Sequence, residues 1–136
     1  MTEQSLFDYE TAKFEFDNAT EELREILAKI NAPKSLDLQK VATKTQYSGE
    51  IYTSLIVKKD KIIIEHDRAH KELIRVKANV ERAFSVLDGL ERKYCYMRYI
   101  LSMSNKEIAS HYKAPLEKIL SVRKTVLEKI RDIECL

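Results

Sequence analysis

The stretch Leu101–Ile119, LSMSNKEIASHYKAPLEKI, decides how the rear of the chain folds. Ser104 suits a helix N-cap, because its hydroxyl can accept from an amide left free two or three residues on. Glu107, three residues later, completes the pattern of a capping box. The helix that follows, Asn105–Tyr112, is short. Pro115 suits the first turn of a second helix, where its missing N–H is not needed. That helix is expected to run to about Ile133 with Ile119, Val122, Val126 and Ile130 on its inner face. Ala109 supplies a small residue where the two helices cross, Ile108 and Tyr112 flank it, and Ala114 fills the corner. Lys113 stands where many such corners have glycine. A corner of this kind is either an ordinary helical hairpin or a helix-turn-helix unit, whose second helix enters a groove of duplex DNA.

The rest of the chain frames that choice. It has 136 residues, 34% charged and 44% apolar, with only two Gly and two Pro. So few turn formers imply long helices, and the apolar share allows a buried core without large-scale disorder. The net charge of +2 is uneven. Residues 1–32 carry three basic and eight acidic side chains, whereas residues 91–136 carry ten basic and six acidic. A basic rear fits a surface that meets something anionic, and a solvated surface with chance asymmetry gives the same count. Cys95 and Cys135 form no spacing motif, and no run approaches the roughly 20 apolar residues of a membrane span. The chain therefore reads as cytoplasmic and reduced, with no membrane partner.

Tyr9, Ala12, Phe16, Ala19, Leu23, Ile26, Leu27 and Ile30 recur at helical steps, and Asn31-Ala-Pro33 ends that helix. Ser35–Lys44 suits a short second helix. Thr45–Asp60 is expected to be a connecting loop with some helical character. From Ile62 a heptad begins. Its a positions are Ile62, Ala69, Val76, Ala83, Leu90 and Met97, and its d positions are His66, Leu73, Val80, Leu87, Tyr94 and Leu101. The repeat predicts one helix of roughly 60 Å packed along a second helix, either the front helix folding back or another copy of the chain. Gly89 weakens that helix by roughly 1 kcal/mol and suits a bend. The expected fold is all-α: a helical hairpin or coiled coil over residues 1–90, with a loop near 45–60, then a helix-turn-helix over 91–136.

Glu107–Arg131, EIASHYKAPLEKILSVRKTVLEKIR, resembles region 4 of bacterial sigma factors without a gap. Leu90–Ala109, LERKYCYMRYILSMSNKEIA, resembles the helix and turn that lead into it. The whole layout is similar to phage-encoded transcriptional activators of the ArpU/RinA kind. The resemblance implies a sequence-specific DNA-binding activator of a phage or mobile element, acting by recruiting RNA polymerase. It places Leu116, Glu117, Lys118, Leu120, Ser121 and Lys124 toward DNA, with Arg98, Lys106, Lys113, Lys118, Arg123 and Lys124 as basic groups for phosphates. Glu117 corresponds to a glutamate that faces the bases, and a carboxylate can accept from a cytosine amino group. Leu116 and Leu120 depart from the pattern, since principal sigma factors have arginines there. They imply either a different sequence read or a helix turned over to protein. In the second case the chain is a helical adaptor that binds a repressor or RNA polymerase. A homo-oligomer through the 62–101 helix is expected on the heptads.

Catalysis is poorly supported. His66-Asp-Arg-Ala-His70 puts two histidines one turn apart, but Asp67 replaces the glutamate of the zinc-protease pattern and only His111 remains elsewhere. His66 at a d position suits a register-fixing polar residue instead. No phosphate-binding glycine loop or nucleophile triad can be drawn, and no cofactor or metal is expected.

Overall fold

The computed structural model describes residues 1–36 and 45–136, and the side chains of those outside 32–49. Every described element is helical: α1 (Glu3–Leu36), α2 (Thr45–Ser85), α3 (Gly89–Cys95) running into a π-helical turn (Tyr96–Ile100), α4 (Asn105–Tyr112) and α5 (Leu116–Ile130). No strand occurs among the described residues, so the chain is all-α as its composition implies. The expected short helix at Ser35–Lys44 lies mostly outside the described residues. The chain gathers into two compact units, one of residues 1–13 with 72–136 and the other of residues 14–71. This division differs from the one expected at residue 90, because both long helices contribute to each unit.

In the unit of residues 14–71, Ile26, Ile30 and Ile62 are buried together, with Leu23, Leu55 and Ile56 packed against them. The Thr20 hydroxyl lies 3.0 Å from His66 Nε2, and the Phe16 ring packs 5.0 Å from the His66 ring. The front helix thus folds back on the central one, and His66 meets a polar partner at its d position. Thr45–Asp60 is helix rather than the loop expected there. Its Leu55 and Ile56 join the apolar cluster, and burial outweighs the weak strand preference of this β-branched segment.

In the other unit, Leu6, Val80, Ala83, Leu87, Tyr94, Cys95 and Tyr99 pack with Ile108, Ala109, Ile119, Val126 and Ile130 in one core. The long helix expected over 62–101 is broken here. After Ser85, Val86 and Leu87 donate to Ala83 and Phe84 carbonyls at 3.3 and 3.2 Å, closing the helix in tight turns. Asp88 then caps a new one. Its Oδ1 accepts from Glu91 N at 2.9 Å, and Glu91 Oε1 accepts from Asp88 N at 3.1 Å, a complete capping box. Ile62, Val76, Val80, Ala83, Leu87 and Tyr94 are buried as the heptad requires, but Leu90 is 55% and Leu101 52% exposed.

Candidate nucleic-acid interface

The corner starts from the π-helical turn. Leu101 N–H reaches back to Tyr96 O at 2.9 Å, and Ser102 then takes the left-handed conformation, φ 58°. Ser104 caps α4 by accepting from Glu107 N at 3.1 Å. The Glu107 carboxylate meets the Ser104 hydroxyl at 3.2 Å rather than the backbone amide of a full box. Ile108 and Ala109 are buried and Ala114 is half-buried, as the corner requires, whereas Tyr112 is exposed. Lys113 ends α4 at φ 52°, ψ 40°, the left-handed residue usual after a helix and usually glycine. Pro115 is the N-cap of α5, one position before the first turn expected for it, and the helix ends at Ile130 rather than near Ile133. Ile119, Val126 and Ile130 are buried and Val122 is half-buried, so the inner face of α5 is the expected one.

The residues expected to face DNA divide into two groups. Glu117, Lys118, Leu120, Ser121 and Lys124 are exposed on α5, and Lys106 and Lys113 are exposed on α4 and its cap. None of these four lysines has an ion-pair partner among the described residues. Leu116 is half-buried and packs on the core.

Arg123 is the main departure. Its Nε and Nη2 donate to Glu3 Oε2 and Oε1 at 2.7 and 2.9 Å. Tyr99 Oη donates to the same carboxylate at 2.8 Å. The Arg123 bond, opposed by partial burial, holds the Glu3 carboxyl below its ordinary range, and Glu3 raises the Arg123 guanidinium in turn. Arg123 therefore ties α5 to the start of α1 instead of reaching outward for phosphate. Arg98 is also engaged: Nη1 donates to Met103 O at 3.1 Å, and the guanidinium carbon sits 4.9 Å from the Phe7 ring centroid, a cation–π contact.

Three long-range contacts of this unit were not expected from the sequence. Glu3 lies 120 positions from Arg123 and carries no local signal of the pairing. Glu91 is buried and forms an ion pair with Lys129 on α5, although its place three residues after Asp88 is itself a readable capping pattern. Asn79 is buried and accepts from Leu136 N at 2.7 Å. Burial pushes the Tyr94 phenol and the Cys95 thiol each up to about 12, so both stay protonated as core residues. Among the described residues no group of His, Cys, Asp and Glu is placed to hold a metal ion, and no helix is long and apolar enough to cross a membrane. No protein-family model, curated protein or solved structure matches the chain.

Proposed function

We propose that the chain is a sequence-specific DNA-binding transcriptional activator of the phage ArpU/RinA kind, with α5 as its reading helix and RNA polymerase as the machine it recruits. One observation carries this reading. The inner face of α5 is fixed by buried Ile119, Val126 and Ile130, while Glu117, Ser121 and Lys124, spaced by four and three residues, stand exposed on the other with no side-chain partner among the described residues. A helix so fixed presents three polar groups to one groove without reorganisation. Glu117 accepts from a cytosine amino group, and the Leu120 side chain meets a thymine methyl. Lys106, Lys113, Lys118 and Lys124 meet phosphates and set the register. Arg123 takes no part, because Glu3 holds it.

Labelled promoter DNA of the host or phage, titrated at two salt concentrations, tests the reading. Binding should weaken steeply with salt as counterions are released. Glu117→Ala should lose about 1–3 kcal/mol of discrimination at one base pair, and Lys124→Ala should weaken binding to all sequences alike. Absence of binding at low salt rejects the proposal.

Leu120 favours a second reading. It is 41% exposed on the same face, and an apolar anchor suits a protein partner better than a phosphate backbone. On that reading the chain is an adaptor for a repressor or for RNA polymerase. Leu120→Ala then abolishes partner binding, and none of the α5 substitutions changes DNA affinity.

A further inference from the structure

The unit that holds α5 carries a second surface, an open groove of about 590 Å³. Phe84 and Met97, half-buried against the core, form its floor. Tyr96, Leu101 and Tyr112 line it at 49%, 52% and 37% exposure. Four parts of the chain meet here: the end of α2, the last turn of α3, the π-helical turn with the residue after it, and the end of α4. Turns of the π type are rare and concentrate at functional sites, and this one carries Tyr96 and Met97 into the groove. Three large, half-exposed apolar side chains in one concavity form a patch of the kind that marks a binding surface.

The charge of the lining is one-sided. Arg92 and Lys93 are present together with the His111 imidazole, and among the described residues no carboxylate lines the groove. Arg92 Nε donates to Phe84 O at 2.8 Å, which anchors the guanidinium while its other N–H groups remain available. Lys93 is exposed and has no ion-pair partner among the described residues. Duplex DNA offers no apolar side chain to cover Leu101 and Tyr112. A peptide with acidic and large apolar side chains satisfies both the walls and the cations, and the volume accommodates a pair of such anchors.

We propose that this groove docks an acidic peptide segment of a protein partner. Its aromatic or aliphatic anchors enter between Tyr96, Leu101 and Tyr112, and its carboxylates pair with Arg92 and Lys93. None of Glu117, Leu120, Ser121 and Lys124 lines the groove, so the inference goes beyond the DNA reading and does not depend on it.

The test contains no DNA. A short fluorescein-labelled peptide, with Phe and Leu one helical turn apart among Glu and Asp, is titrated with the full chain at low salt. Saturable binding is expected, with no binding of the same peptide carrying Lys for every Glu and Asp. Lys93→Glu should weaken it at least about tenfold with the circular dichroism spectrum unchanged, because Lys93 is exposed and holds no core contact. Glu117→Ala should leave it as it was. In NMR spectra the peptide should move the amide signals of Tyr96, Leu101 and Tyr112 while those of Glu117–Lys124 stay in place. No binding up to about 1 mM, equal binding by Lys93→Glu, or signal changes centred on α5 overturns the proposal. So does loss of peptide binding as chain concentration rises, which assigns the groove to a second copy instead.

Discussion

Lys113 holds a left-handed backbone conformation, φ 52°, at a position where any side chain beyond Cα is a cost. Lys113→Gly removes that cost and one exposed cation together. It should raise stability by about 0.5–1 kcal/mol in urea denaturation while weakening DNA binding; a loss of stability would show that the lysine stem packs on the corner. Glu3 poses a different question, because its carboxylate serves both Arg123 and Tyr99. Its pKa lies below the ordinary 4.5, chiefly through the Arg123 bond. A carboxyl depressed in the folded state contributes stability that is fully present above its unfolded value and is lost as pH falls through the folded one. Glu3→Gln should therefore cost about 1–2 kcal/mol at neutral pH, kept low by the partly exposed guanidinium. The gap to the unaltered protein should close below pH 4.5 in thermal melts. A gap independent of pH would mean that the pair contributes packing alone.

At the scale of elements, the sequence was most legible where burial followed helical period without interruption. Ile62, Val76 and Val80 lie inside as their spacing requires, and so do Ile119, Val126 and Ile130. It misled where a local signal competed with a long repeat. The heptad carries straight through residues 86–88, whereas Asp88 and Glu91 close a capping box there; Leu90, in the first turn of the new helix, and Leu101, just past the π-helical turn, are exposed. The segment Thr45–Asp60 misled in the opposite direction, since local preference suggested an open chain and packing made helix. Of the candidate interface, the exposed polar face of α5 was readable from its spacing. The role of Arg123 was not, because its partner lies at the far end of the sequence. The break itself can be tested. Asp88→Ala leaves the first amides of α3 without their acceptor and should cost about 1 kcal/mol. The urea midpoint should fall with no change in slope, as expected for a native-state loss. An unchanged midpoint would mean that the core alone sets where α3 begins.

At the scale of the molecule, the seam expected to receive a second copy is already occupied. Ile62 is covered by Ile26 and Ile30 in one unit, and Val80 and Ala83 lie in the core of the other. Self-association must then use other residues. In the unit of residues 14–71, Val57 and Ile64 on α2, seven residues apart and so on one face of the helix, are 53% and 60% exposed, and exposed apolar side chains that share a face suit an association surface. The expected outcome is a mass that rises with concentration in light scattering. Ile64→Glu should return it to that of one chain with helicity intact, since the position is exposed and a charge there disturbs no core. Ile62→Ala should act differently, loosening the hairpin by about 2 kcal/mol, near the low end for a buried isoleucine because its cluster is small. The two substitutions are neighbours in sequence and opposite in effect, which separates a surface contact from an internal one. A single-chain mass at every concentration would end the case for a homo-oligomer, and the DNA reading would then require one chain to bind its site alone through α5.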